Sequence, residues 1–411
     1  MKKVKLLFLI FIMIFTINVE AVEFNLNSNH VILYNLNDDS VLYEKGSSDK
    51  TSIASMTKIM TAIVAIENIN NLDEKVKLTY DDFRGLVEAN ASVAGFRVGE
   101  EVTYRDLLYG LMLPSGADAA QALTRLVAGS LDNYINMMNQ KAVDLGCKNT
   151  HFVNPTGLDD NNHYSTVEDV ATIFKYAIKN DTFLEIIKTK NYTTSNGRLN
   201  LKSTIERAKQ NYNLDMDYLL GGKTGTTGDA GYCLASIANY NGVDYMLITA
   251  KTIFPSNQPL NYNDAKTVYE YFMNNYAYHN VLDEKDEVVR IKTKYAKDDE
   301  VVFYANKNLD MYLENTYKKE ELTYKYSGID EIIYDMEVGT KLGSVEVYSK
   351  DTLLTTVDVV LDKKQEFDLM KFIKLNKLLV FGITLGVILI IGFIIFIIKK
   401  LKRKTKKKRR K

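Results

Sequence analysis

The chain has 411 residues, 46% hydrophobic, 25% charged and 11% aromatic, which is globular composition with enough length for two domains. Its formal net charge of zero hides an asymmetry. Residues 22–377 hold 38 basic and 51 acidic side chains, a net of −13, whereas the last 34 residues hold eleven Lys or Arg and no acid. A body that acidic repels polyphosphate, so nucleic acid is not expected as a partner.

The two ends indicate where the body resides. Residues 1–21 open with Lys2, Lys3 and Lys5, continue through the apolar run Leu6–Ile17, and end on Val19-Glu20-Ala21. This is the layout of a cleavable signal peptide, with an apolar run too short for a comfortable membrane span. Leu378–Ile398, 21 residues without a charge, is long enough to cross a bilayer as a helix. Residues 399–411 follow with eleven positive charges, a block that stays on the cytoplasmic side. The expected arrangement is a single-pass membrane protein with its body on the extracytoplasmic side. Cys147 and Cys233 are expected as free, buried thiols rather than a bridge, because a body of this size needs no staple.

Within the body, Val31–Tyr34 and Val41–Tyr43 flank a polar turn and read as a hairpin. Ser55–Ile69 is apolar nearly all round and predicts a buried helix. Helical patterns follow at 104–112, 117–127, 131–145 and 166–180, then strands at 232–238 and 245–250 and a closing helix at 264–276. Strands flanking a block of helices describe an α/β or α+β domain over residues 22–280 with one central covered helix. From about Val281 the texture changes to short alternating segments, predicting a small all-β domain at 281–361. A charged stalk, 362–377, leads into the transmembrane helix.

Three elements suggest chemistry. Ser55-Met56-Thr57-Lys58 sets a hydroxyl and an amine one helical turn apart at the start of a buried helix. There the helix dipole favours an activated nucleophile, and burial lowers the lysine pKa as a base requires. The same spacing occurs at Ser47 and Lys50, but in a polar turn, and by spacing alone Ser55 could simply cap the helix. Leu113–Asp118 is a small-residue break between two apolar helices, with Ser115 as a cap in the plainer reading. Gly221–Gly228 contains the sole Lys-Thr-Gly of the chain, Lys223-Thr224-Gly225, at the start of a strand. Its glycines admit a substrate backbone, and Lys223 and Thr224 offer a cation and a donor to a carboxylate.

Together and in this order the elements resemble the S-x-x-K, S-x-N and K-T-G signature of serine penicillin-binding proteins. Ile53–Thr61, Asn154–Leu158 with His163–Thr166, and Gly221–Cys233 extend the resemblance to the low-molecular-weight D-alanyl-D-alanine carboxypeptidases, peptidase family S11. The likeness covers about Phe24 to Tyr278, and a β module followed by a C-terminal anchor is also that family's layout. The resemblance implies a penicillin-binding/β-lactamase-like catalytic fold without cofactor or metal. It implies peptidoglycan stem peptides ending in D-Ala-D-Ala as substrates and β-lactams as covalent inhibitors. Ser55 would be the acyl-ester nucleophile, Lys58 the general base and Ser115 the proton relay. Lys223, Thr224, Gly225 and Thr226 would bind substrate, with the Ser55 and Thr226 amides forming the oxyanion hole.

One position departs from the family: Ala117 stands where an asparagine is usual two residues after Ser115. That keeps open a penicillin-acylated wall-binding or sensor protein with little turnover. A class A β-lactamase is disfavoured because its second motif is S-D-N. A zinc peptidase is disfavoured because His151, Asp159, Asp160 and His163 lack a ligand-type spacing. A Ser-His-Asp triad lacks its G-x-S-x-G elbow.

Overall fold

The computed structural model describes residues 22–408, which divide between Asn275 and Tyr276 into two units. The signal peptide read at residues 1–21 and the last three residues of the basic tail lie outside the described residues.

In the first unit, β1 (Ser28–Asn35) and β2 (Ser40–Lys45) form the expected hairpin. A 3-10 turn, Ala54–Thr57, then runs into α1 (Lys58–Asn68). A small hairpin, β3 (Lys75–Lys77) with β4 (Glu101–Thr103), precedes α2 (Tyr104–Met112) and α3 (Ala117–Ala128). Next come α4 (Leu131–Asp144), α5 (Val167–Ala177) and α6 (Asp181–Lys188). A second small hairpin, β5 (Asn191–Thr193) with β6 (Asn200–Lys202), leads to α7 (Thr204–Tyr212). The unit closes with β7 (Leu219–Thr227), β8 (Gly231–Tyr240), β9 (Val243–Thr252) and α8 (Leu260–Asn275).

The main sheet has the order β2-β1-β9-β8-β7 with antiparallel neighbours throughout. The first strand pairs with the last, Ile32 facing Ile248 and Tyr34 facing Met246, so the helical block is enclosed between sequence-distant strands. Side chains alternate across a strand. Ala235 and Ile237 enter the large core with α1, while Ser236 between them meets the Tyr269 hydroxyl of α8 at 3.0 Å. The sheet is therefore covered on both faces. Helix α1 touches α2, α3, α4, α5 and α6, and Ile59, Met60, Ile63 and Val64 are all buried, as an all-round apolar helix must be. Side-chain caps start the surrounding helices: Thr103, Ser130, Thr166, Asn180 and Ser203 each accept a backbone N–H of the first turn. Asn180 explains why the pattern read as one helix over 166–180 stops at Ala177 and restarts as α6.

The second unit begins at Tyr276, ahead of the change in sequence texture, because β10 (Tyr276–Leu282) pairs with β13 (Leu309–Glu314). β11 (Glu287–Lys294) lies between β12 (Glu300–Tyr304) and the parallel β15 (Glu331–Ile333). β14 (Leu322–Gly328), β16 (Lys341–Ser349) and β17 (Thr352–Val360) make a three-stranded antiparallel sheet. Val281, Ile291, Ile332, Leu342, Val345 and Val347 fill the core between them.

The segment read as a stalk is largely folded onto this unit. The Lys297 amide donates to Glu366 O, the Asp368 amide donates to Tyr295 O, and Asp368 caps α9 (Leu369–Leu375). Phe367 and Phe372, apolar residues in a charged stretch, supply the reason: they pack on Tyr334 and Tyr295 with ring centroids 4.6 and 5.0 Å apart. Helix α10 (Lys377–Lys408) follows, long and apolar enough to cross a membrane, its apolar side chains exposed.

Candidate active site

Ser55 lies in the 3-10 turn before α1 rather than in the α-helix itself. Such a turn has three residues per revolution, so positions three apart eclipse. Lys58 Nζ accordingly lies 2.9 Å from Ser55 Oγ, and it also donates to the Thr156 carbonyl at 2.6 Å. Ala54 enters the turn at φ 45°, a left-handed conformation that costs a residue with a Cβ about 1–2 kcal/mol. Lys58 is 2% exposed, and burial pulls its pKa down to about 7 against the opposing field of Asp118. The amine is thus poised between its two protonation states near neutrality, as a general base requires. The competing Ser47 and Lys50 do not meet: Ser47 donates to Glu44 at 2.8 Å, and Lys50 lies over the Tyr164 ring.

Ser115 lies in the break between α2 and α3 at φ 67°, and its Oγ accepts from Lys223 Nζ at 2.9 Å. Lys223 also donates to the Thr224 carbonyl at 2.7 Å, and burial followed by the fields of Lys58 and Arg207 holds its pKa well below the ordinary value. Ser115 is therefore joined to Lys223, not to Lys58, among the hydrogen bonds of the described residues. Thr224 Oγ1 donates to Thr204 Oγ1 at 2.8 Å, and Thr226 Oγ1 to the Gly225 carbonyl at 2.7 Å. Gly225 brings β7 against the Ser55 turn: a Cβ there would sit 2.9 Å from Ser55 N and 3.0 Å from the Ala54 Cβ. The three motifs, separated by up to 170 residues in sequence, converge here on one site.

Asp118 does not replace the missing asparagine. Its Oδ1 accepts from Ala94 N and Ala119 N, and its Oδ2 from Gly95 N and Phe96 N. Three of its four bonds hold the 94–96 loop beside Gly116, whose own Cβ would come within 2.8 Å of the Ala94 Cβ, and the fourth goes to the first turn of α3. Ala117 is buried with its amide donated to the Ser92 carbonyl.

Residues of the 153–163 segment contribute contacts that motif reading does not assign. Asn154 Oδ1 accepts from Thr156 N, Gly157 N and Leu158 N and from Thr156 Oγ1, organising the turn that presents the Thr156 carbonyl to Lys58. Gly157, at φ 81°, is required by contact as well as conformation: a Cβ would lie 1.9 Å from Ala54 O. The run Asn-Pro-Thr-Gly is a turn signal, but only the fold reveals which side chain it serves. His151, Asp159, Asp160 and His163 each have a protein partner, and among the described residues no cluster of His, Cys, Asp or Glu could hold a metal ion. Cys147 and Cys233 are free, and burial raises both thiols to about 12.

Comparison with known proteins agrees with this geometry. The profile of the peptidase S11 family, D-alanyl-D-alanine carboxypeptidase, matches residues 17–252. The D-alanyl-D-alanine carboxypeptidase of Streptomyces sp. strain K15 is 37% identical over 248 residues, covering 56% of this chain and 82% of that protein. DacF of Bacillus subtilis is 28% identical over 328 residues, covering 78% of this chain and 81% of its own length. Among solved structures, the Streptomyces K15 DD-transpeptidase superposes with a TM-score of 0.55 at 33% identity, covering 61% of this chain and 98% of that one. Penicillin binding protein 5 from Haemophilus influenzae reaches a TM-score of 0.61 at 20% identity over 84% of this chain and 99% of its own, a likeness of fold. With the family profile spanning more than half its length, the chain belongs to the S11 family of D-alanyl-D-alanine carboxypeptidases.

Proposed function

We propose that the protein removes the terminal D-alanine from peptidoglycan stem pentapeptides through an acyl-enzyme on Ser55. The observation that supports this most is the buried Lys58 amine, 2.9 Å from Ser55 Oγ and with a pKa lowered by burial to about 7. Neutral Lys58 takes the Ser55 proton as Oγ bonds to the carbonyl carbon between the two D-alanines. The Ser55 and Thr226 amides receive the oxyanion, each such donor being worth about 3–4 kcal/mol in other hydrolases. As the C–N bond breaks, the Ser115 hydroxyl, its oxygen held by Lys223, donates a proton to the departing amine, and the proton that Lys58 took from Ser55 replaces it, so that Ser115 and Lys58 both return to their starting states. Lys223, Thr224 and Thr226, with Gly225 admitting the backbone, hold the substrate carboxylate. Water then cleaves the ester and returns Ser55 to its starting state.

The same reading places the catalytic unit on the extracytoplasmic side, anchored through α10 with the basic residues after it inside. β-Lactams acylate the same serine. The experiment is D-alanine release from a pentapeptide beside labelling with fluorescent penicillin, for wild type and Ser55→Ala. Expected are turnover and a single adduct on a Ser55-containing peptide, both lost in the variant. Labelling without release would favour a sensor, and an adduct elsewhere would overturn the Ser55 assignment.

A further inference from the structure

His163 lies on the segment that faces the catalytic turn, yet nothing in the mechanism above uses it. It is 3% exposed, with its ring edge-to-face against Phe152 at 5.6 Å. The Val153 amide donates to Nδ1 at 3.2 Å, so the ring proton resides on Nε2. Nε2 then donates to Thr57 Oγ1 at 2.7 Å. Burial lowers the imidazole pKa to about 4, with Asp160 and Asp159 opposing and His151 and Lys58 assisting, so the ring is neutral at physiological pH. Thr57 is itself 1% exposed and stands between Ser55 and Lys58 in the 3-10 turn. One segment thus grips this turn twice, through the Thr156 carbonyl on Lys58 and through His163 on Thr57.

We infer that His163 is a positioning residue for acylation: a neutral imidazole in a fixed tautomer that holds Thr57 and thereby sets Ser55 Oγ against Lys58 Nζ. The inference rests on Ser55 being the acylated serine. Its physical basis is the steep dependence of intramolecular proton transfer on distance, where a displacement of about 1 Å can cost about 100-fold. The Thr57 hydroxyl is the contact through which a displacement of the imidazole would reach the nucleophile.

The two ring nitrogens can be tested separately in the full-length protein. His163→Gln keeps a donor near the Nε2 position, whereas His163→Asn keeps only an acceptor near Nδ1. Thr57→Val removes the hydroxyl at nearly constant shape, and Thr57→Ser retains it. The measurements are the second-order rate constant of penicillin acylation, thermal melting, and the mass of the labelled peptide. His163→Asn and Thr57→Val are each expected to slow acylation about tenfold, the upper end of what one hydrogen bond supplies. The double variant should be no slower than either alone. His163→Gln and Thr57→Ser should stay within about threefold of wild type, although Gln and Asn lower the melting point alike. Wild-type acylation by Thr57→Val, multiplicative losses in the double variant, or equal slowing by Gln and Asn would overturn the inference. Should His163→Asn not fold, the Thr57 pair decides alone. A wild-type adduct away from Ser55 would instead overturn the catalytic reading, which the peptide mass distinguishes.

Discussion

The two units differ in what they bury. In the first, Lys58, Asp82, Asp106, Asp118, His163, Asp169 and Lys223 lie in the interior beside many hydroxyls. In the second, Gln365 is the only buried polar side chain among the described residues, and its ion pairs are at the surface. Burying a polar group is unfavourable unless it is bonded, and burying a charge is more so. Most of the buried acids are satisfied by several donors: Asp118 by four backbone amides, Asp106 by Thr103 N, Ser195 and Tyr192. The two lysines are the exceptions in kind, because neither forms an ion pair among the described residues. The unfavourable burials concentrate in the first unit, whereas apolar side chains fill the core of the β-rich unit.

The sharpest way to break this comparison is Lys58→Met. Acylation should fall about 1,000-fold or more, the scale of general-base catalysis, while thermal melting rises or holds because a buried amine with no ion-pair partner among the described residues is gone. A lower melting point would mean that Lys58 stabilises the fold as the acids do. Next in size is the pH dependence. Below about 7 the acylation rate should climb nearly tenfold per pH unit as Lys58 deprotonates, then level off. Stability should move the same way. Between about 7 and the 10.5 of an ordinary lysine, the unfolded chain holds the Lys58 proton and the folded chain does not, so unfolding becomes harder as pH rises. Wild type against Lys58→Met, melted at pH 6 and 9, checks the sign.

Ile332→Ala tests the other unit. It should destabilise the β-rich core by about 2–5 kcal/mol and leave penicillin acylation within twofold of wild type. Coupled loss of acylation would show that the units are not energetically separate. Asp118→Asn, weakening charge-assisted bonds to the 94–96 loop, should cost about 1.5–3 kcal/mol and slow acylation severalfold, read by melting and stopped-flow labelling. The smallest effect belongs to Arg290→Ala on the exposed face of β11, where the pairs with Glu287 and Glu300 are solvated and melting should not change measurably.

Much of this was legible in sequence because short-range signals coincide with the fold. The all-round apolar character of α1, the glycine turns and the order of the three motifs suffice to predict the family and the approach of Ser55 to Lys58. What was not legible depends on contacts between distant segments. Asp118 is only the residue after Ala117 in sequence, yet three of its four bonds go to a loop 22–24 residues earlier. His163 carries no metal-ligand spacing in the sequence, and only the fold shows Val153 and Thr57 on its two nitrogens. The link of Ser115 to Lys223 spans 108 residues, and no local pattern encodes it. The stalk misled for the opposite reason: its charge suggested solvent, but two phenylalanines sufficed to fold it back.

Ser115 is bonded to a buried lysine that forms no ion pair among the described residues, which bears on how the site would receive a ligand. On the proposed function, a peptide terminating in a free carboxylate would bring a negative charge with it, and the lysine, held by burial short of its ordinary basicity, would become more basic as the charge arrives. Ligand capture should therefore draw a proton from solvent, measurable as a buffer-dependent heat in calorimetry with an unreactive carboxylate analogue, and the amidated analogue should bring neither the proton nor the affinity. Selectivity for a chain end would then arise from an electrostatic deficit within the protein as much as from the shape of the cleft.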